Sequence, residues 1–283
     1  MQPLMRWPPF QHIFFDCDST LTAIEGIDAL AKTTGKSWRI GVLTDAAMSG
    51  QVDLEEIYAK RLRSIKPTKG QVQAIRQVYK QNTVPEATDV IAALTHLGHD
   101  LYIISGGLAE PVHEFGRFLG VPPDHIRAVG IEYDRLSGQW WYSQEEQPNT
   151  SERYLAFDNA PLTVSDGKAQ IVQQLLEGAS GRSLLIGDGV SDLLAAPAVD
   201  LFVGFGGVIE RQRVRQEAPL FITSPSMAPL LAIAAGPASL RRLEDLGFRS
   251  LIKKVIDCVT DGAIEFNDQE LKERFFRAWR SPH

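Results

Sequence analysis

The sequence predicts an α/β fold built on a doubly wound, mostly parallel sheet, with a helical cap inserted after the first strand and a helical extension at the C-terminal end. Three observations carry the prediction. Short apolar runs recur, and each ends in a small or acidic polar group. Stretches with helical spacing lie between those runs. A long segment after the first run, about 24–84, has helical spacing and no strand-like run.

The first run, His12-Ile13-Phe14-Phe15, passes at once into Asp16-Cys17-Asp18. An unbroken apolar run of this length reads as a strand buried on both faces. Leu101-Tyr102-Ile103-Ile104 ends in Ser105-Gly106-Gly107, which is expected to open a helix. Ser183-Leu184-Leu185-Ile186 ends in Gly187-Asp188-Gly189, and a weaker run, Leu201-Phe202-Val203, ends in Gly204. Helical stretches precede the second and third runs, over 87–97 and 167–177, with Gly98 and Gly178 as stops. Strands alternating with helices wind a right-handed, Rossmann-like sheet, and ligands in such sheets bind outside the carboxyl ends of the strands. The polar residues singled out below lie at such ends.

Within the insert, Asp53 is the expected N-cap of a helix over 54–65. The stretch 131–158, with Trp140, Trp141 and Tyr142, reads as a hairpin or flap. Two helical patterns follow Pro229, over 240–259 and 268–279. The division expected is a core of 1–23 and 85–229, a cap of 24–84 and an extension of 230–283.

Of the 283 residues, 44% are hydrophobic, and the net charge is −6. That balance gives no bulk attraction to nucleic acid or to an anionic membrane surface, so an anionic ligand would need a few placed groups. The two cysteines, Cys17 and Cys258, have no metal-type spacing and make no disulfide framework. No secretory signal is expected at the start, and no apolar run is long enough to span a bilayer. A reducing cytoplasmic compartment is the expectation. The sequence leaves room for a homo-oligomer and does not decide it.

Two acids one residue apart at a strand end can share a pocket. One can attack phosphorus, and the other can protonate the leaving alkoxide and then activate water. A carboxylate approaching a phosphate dianion needs a cation, and magnesium with oxygen ligands suits it. Asp188 offers a further hard ligand, with Asp192 one helical turn on. The Ser105 hydroxyl and the Gly106 amide suit a phosphate oxygen. Lys168, at a helix start, runs against the helix dipole, which hints at a functional reason for its position. Each motif alone reads equally well as a turn, a cap or a surface charge; their order and strand context give them weight.

In that order the segments resemble the motifs of the haloacid dehalogenase superfamily: Asp-x-Asp-x-Thr, then Ser, then Lys, then Gly-Asp-Gly-x-x-Asp. The resemblance implies Asp16 as nucleophile and Asp18 as acid/base. It implies Ser105, Gly106, Lys168 and Ser191 around the phosphoryl group. It implies magnesium held by Asp16, Asp188 and the Asp18 carbonyl, with Asp192 near the metal. Over roughly 12–224 the chain further resembles the phosphoserine phosphatase family, through Glu25-Gly26-Ile27-Asp28, Ala47-Met48-Ser49-Gly50, Lys60-Arg61-Leu62 and Phe202-Val-Gly-Phe-Gly-Gly207. By that analogy Glu25 binds the substrate ammonium, Arg61 its carboxylate, and Met48 packs over it. Planar Arg suits a carboxylate because its fork engages both oxygens. The implied partner is a small phosphate monoester, and the implied reaction is magnesium-dependent hydrolysis of L-phosphoserine, the last step of serine biosynthesis. Another small ester, such as a sugar phosphate or a methionine-salvage intermediate, is the alternative. Two departures from the pattern are Ser191, where many relatives have Asn, and Leu54, where Phe is frequent.

Overall fold

The computed structural model describes residues 7–33, 35, 54–137, 150–158 and 160–280, with backbone alone over 54–58. Met48, Asp53, Trp140, Trp141 and Tyr142 lie outside the described residues, as does the Leu54 side chain.

The strands are β1 (His12–Phe15), β2 (Asp100–Leu108), β3 (Ile126–Val129), β4 (Ile131–Asp134), β5 (Arg153–Phe157), β6 (Ser183–Gly187), β7 (Leu201–Phe205), β8 (Leu220–Ile222) and β9 (Ile264–Phe266). Seven of them form one sheet in the order β3-β2-β1-β6-β7-β8-β9. All its pairings are parallel except that of β8 with β9. The strand order reverses between β1 and β6. The chain winds outward from β1 to β3 and later starts again at β6 on the other side. That reversal opens a crevice at the carboxyl ends of the two strands. The apolar runs read from the sequence are β1, β6, β7 and the first part of β2; their interiors are buried on both faces.

The helices are α1 (Gly26–Thr33), α2 (Leu54–Ile65), α3 (Lys69–Gln81), α4 (Ala87–His96), α5 (Ala109–Leu119), α6 (Gly167–Leu176), α7 (Val190–Ala195), α8 (Gln212–Glu217), α9 (Ala228–Ala234), α10 (Leu240–Glu244), α11 (Arg249–Thr260) and α12 (Gln269–Arg280). The first three lie in the insert after β1. Thr68 and Gln71 form a reciprocal capping box at the start of α3. Val72, Ile75 and Tyr79 are buried on one face of that helix, and Arg76 and Lys80 both pair with Glu114 of α5, each at 2.9 Å.

The stretch 131–158 contains the antiparallel pair β4–β5. That pair touches the insert through its backbone: Tyr154 N–H donates to the Pro67 carbonyl at 2.9 Å, and Gly70 N–H to that of Thr150 at 2.9 Å.

Two expectations need correction. Ser105-Gly106-Gly107 does not open a helix. Strand β2 runs on to Leu108 with a register break between Ile104 and Leu108, and α5 begins only at Ala109. The C-terminal segment is not wholly helical either. The pattern over 240–259 is broken between α10 and α11 near Gly247, which takes φ 92°, and Ile264–Phe266 adds β9 to the sheet edge. The same segment is tied into the core: α9 is buried throughout, and Phe275 of α12 meets Trp7 edge-on at 5.2 Å.

Candidate active site

Strand register brings the acids together. Phe15 lies opposite Ile186 in β6 and Ile103 in β2. The residues that follow, Asp16, Asp188 and Ser105, therefore emerge at one edge of the sheet. The Asp16 amide still donates to the Ile186 carbonyl at 2.9 Å, which holds Asp16 at the strand end. A single pocket is lined by Asp16, Asp18, Glu25, Arg61, Ser105, Gly106, Lys168 and Ser191, together with Ile27, Gly107, Leu162 and Val164. Every described site residue expected from the sequence is thus in this pocket or behind it; Met48 is outside the described residues. Asp188 and Asp192 stand behind it.

Lys168 occupies the second position of α6, buried, with its Nζ 2.7 Å from Asp16 Oδ1 and 2.6 Å from Asp192 Oδ1. Its place against the helix dipole is explained by these two carboxylates. Burial opposes its charge, but Asp16 and Asp192 outweigh that and hold the ammonium protonated well above the usual lysine range. Asp192 also accepts from the Gly189 amide at 3.0 Å. A Cβ at Gly187 would stand 2.2 Å from the Asp192 carboxyl carbon, so only glycine lets that carboxylate pack against the end of β6.

The loop after Asp18 makes a tight turn. Ser19 takes φ 55°, a left-handed conformation that ordinary residues seldom adopt. Its hydroxyl donates to Glu25 Oε1 at 2.8 Å. Asp18 accepts from the Gly26 amide at 3.0 Å through Oδ2 and from Tyr79 Oη at 2.6 Å through Oδ1.

Sequence reasoning missed two groups. One is Tyr79. The other is Arg211, in the loop after β7, whose Nε donates to Asp188 Oδ2 at 3.0 Å and whose Nη2 lies 3.8 Å from Glu25 Oε1. Its side chain is 8% exposed. The available signal was position, since Arg211 follows Gly206-Gly207 past another strand end of the same sheet.

The electrostatics point to a cation. Asp16, Asp188 and Asp192 are buried, with carboxylate oxygens within 4.8 Å of one another. Among the described residues at the site, those three acids with Asp18 and Glu25 face only Lys168, Arg61 and Arg211. With every acid ionised the cluster would carry a formal excess of negative charge, which a cation placed among the acids would offset. Burial, and then repulsion from Glu25, pushes the Asp18 carboxyl up to about 8, although Tyr79 and the Gly26 amide pull the other way. Burial and Asp16 raise Asp192 to about 6 against the pull of Lys168, and raise Asp188 well above the usual carboxylate range. Glu25 is raised by burial, opposed by Ser19, Arg211 and Arg61. All-oxygen donors of this kind suit magnesium. The Cys17 thiol between the two acids is buried and pushed up, first by burial and then by Asp18, so it stays a thiol. Cys17 and Cys258 are both free. Among the described residues no helix is long and apolar enough to cross a membrane.

Residues 13–197 match the family model for haloacid dehalogenase-like hydrolases. The phosphoserine phosphatase of Mus musculus is 30% identical over 213 residues, which are 75% of this chain and 88% of the mouse protein. That of Drosophila melanogaster is 32% identical over 216 residues, 75% of this chain and 74% of the fly protein. A solved phospho-aspartyl intermediate analogue of phosphoserine phosphatase superposes with a TM-score of 0.66 at 20% identity, covering 79% of this chain and 98% of its own; at that identity the likeness concerns the fold. The chain belongs to the phosphoserine phosphatase family of haloacid dehalogenase-like hydrolases and is a phosphoric monoester hydrolase.

Proposed function

We propose that this chain hydrolyses L-phosphoserine to serine and phosphate, with magnesium, through an aspartyl-phosphate on Asp16, as the last step of serine biosynthesis in a reducing cytoplasmic compartment. The observation that carries the reading is the content of one pocket: phosphoryl-directed groups (Asp16, Asp18, Ser105, Lys168) share it with the oppositely charged Glu25 and Arg61. A phosphorylated amino acid offers an anion at one end and an ammonium and a carboxylate at the other. A sugar phosphate has no use for the second pair. The names of the relatives support the same substrate.

In this reading an Asp16 carboxylate oxygen attacks phosphorus. Lys168, already 2.7 Å from Asp16, screens the nucleophile's charge from the incoming phosphoryl oxygens. Ser105, the Gly106 amide and Ser191 hold those oxygens. Asp18 gives its proton to the departing ester oxygen and then takes one from the water that cleaves the acyl phosphate. Asp16, Asp188 and the Asp18 carbonyl, with Asp192 close by, would hold magnesium, which supplies the positive charge needed for a dianion to approach a carboxylate. Arg61 and Glu25 grip the carboxylate and the ammonium.

A phosphate-release screen with magnesium across phosphoserine, phosphothreonine, sugar phosphates and 4-nitrophenyl phosphate tests the assignment. Phosphoserine should give the highest kcat/KM. A sugar phosphate in first place would keep the reaction and replace the substrate.

A further inference from the structure

Tyr79 lines no part of the pocket, yet it makes the shortest hydrogen bond to Asp18. Its side chain is fully buried on α3, with its ring 5.5 Å from that of Phe115 on α5. Neighbouring Arg76 and Lys80 clamp the same stretch of α3 to Glu114. Its carbonyl accepts from the Thr22 hydroxyl at 3.4 Å, four residues beyond Asp18. The turn of α3 that carries the ring is therefore held at several points, and the ring packs on Phe115. A Cβ at Gly26 would stand 2.1 Å from Tyr79 Oη, and one at Gly107 would stand 3.4 Å away. Between those two glycines the phenol meets Asp18 Oδ1 at 2.6 Å, while Oδ2 takes the Gly26 amide at 3.0 Å.

Both Asp18 oxygens thus face a fixed donor, and a phenol that keeps its proton at neutral pH can donate it to the carboxylate. Each oxygen keeps a second lone pair, so the carboxyl can still carry the proton that it is to transfer. We propose that Tyr79 is a positioning residue for the leaving-group step: it sets the plane of the Asp18 carboxyl and stabilises the carboxylate left behind when the proton departs. This rests on the reading of Asp18 as the acid. In that step the bond from phosphorus to the ester oxygen breaks and the bond from Asp16 to phosphorus forms. The Asp18 proton moves to the ester oxygen, and the negative charge that appears on Asp18 is met by the Tyr79 hydroxyl and the Gly26 amide.

The consequence is selective. An alkyl ester such as phosphoserine expels a poor leaving group that needs the proton. A nitrophenolate leaves without it. A tyrosine that served only the packing of α3 on α5 would affect both substrates alike.

The test is single-turnover phosphoenzyme formation, by rapid quench with magnesium, from phosphoserine and from 4-nitrophenyl phosphate. Tyr79→Phe keeps the ring on Phe115 and removes only the hydroxyl. It should slow the phosphoserine reaction by about ten- to a hundred-fold, the worth of a hydrogen bond to a charged group, and leave the nitrophenyl reaction within about three-fold. Phe115→Leu loosens the same packing with the hydroxyl in place and should show no such split. Asp18→Asn, measured alongside, should show the largest split. If Asp18→Asn shows one and Tyr79→Phe slows both substrates equally or neither, the role given to Tyr79 is overturned on its own. If Asp18→Asn shows none, the acid assignment falls and the Tyr79 proposal falls with it. Should the Phe variant not fold, 3-fluorotyrosine at position 79, a stronger donor of nearly the same size, should speed the phosphoserine reaction relative to the nitrophenyl one; an unchanged ratio would overturn the proposal.

Discussion

The Arg211 guanidinium donates from Nε to Asp188 Oδ2 at 3.0 Å, and so places a cation from the loop after β7 against an expected metal ligand at the end of β6. Arg211 Nη2 is buried with no hydrogen-bond partner among the described residues. Arg211 is thus one of three cations offsetting five acids. Removing it should leave Asp188 and Glu25 less compensated, and breaking a buried pair is typically destabilising by about 3–5 kcal/mol. Arg211→Gln should lower the thermal midpoint of the metal-free protein. Added magnesium should restore more of the loss than it adds to the wild type. Equal magnesium increments in both proteins would show that Arg211 does not share the charge of Asp188.

The raised carboxyls set a pH dependence for the metal-free chain. Asp18 near 8 and Asp192 near 6 hold protons in the folded state that an unfolded chain, with ordinary carboxylates, gives up near pH 4. The folded state binds more protons between those values, so stability falls as pH rises. These groups favour the fold fully below about pH 4, and their contribution is lost progressively up to about pH 8. The thermal midpoint in chelator should therefore fall from pH 5 to pH 8, and saturating magnesium should flatten the decline. A metal-free midpoint that rises over that interval would contradict the electrostatic account.

The placement of the core of the candidate site was legible because it sits where the chain changes character. Asp16 and Asp188 follow unbroken apolar runs, and a parallel strand can turn out of a sheet only at its end. The misplacement of Ser105-Gly106-Gly107 has the same origin: glycines after a strand read as a turn, and nothing local says that β2 continues irregularly to Leu108. Arg211 was hidden by its neighbours. Arg213 is half-exposed, and Arg215 pairs with Glu210 and Glu265, so the alternating arginines look like a solvated face. Tyr79 falls in step with Val72 and Ile75 and reads as core; only the folded structure shows its hydroxyl on Asp18. The three residues of β9 are too few for any period to show.

Gly26 is the point where these contacts leave no slack. Gly26→Ala would drive a methyl to 2.1 Å from Tyr79 Oη. Overpacking of this kind typically costs about 1–3 kcal/mol, and the displaced phenol would release Asp18. The variant should have a lower thermal midpoint and a kcat reduced by about ten-fold or more, with the loss concentrated on alkyl esters. Tyr79→Phe in the same chain should recover part of the stability and none of the rate. A Gly26→Ala protein with wild-type turnover would mean that the phenol can move without consequence.

Arg61 tests the substrate side. Arg61→Ala should lower kcat/KM for phosphoserine by about ten- to a hundred-fold, the worth of a charge-assisted contact. Hydrolysis of 4-nitrophenyl phosphate should change little, because Asp16, Ser105 and Lys168 are untouched. Arg61→Lys should regain only part, since an ammonium cannot reproduce the two-pronged contact. Equal losses on both esters would assign Arg61 to the fold and not to the ligand.

The most direct test of the whole account is the identity of the group that carries the phosphoryl. Protein quenched in acid during turnover of phosphoserine with magnesium can be reduced with borohydride and digested, which converts a phosphorylated aspartate to homoserine. The account predicts homoserine at position 16 alone, and none in Asp16→Asn. Rapid product formation with no homoserine anywhere, or with homoserine at position 18, would contradict it.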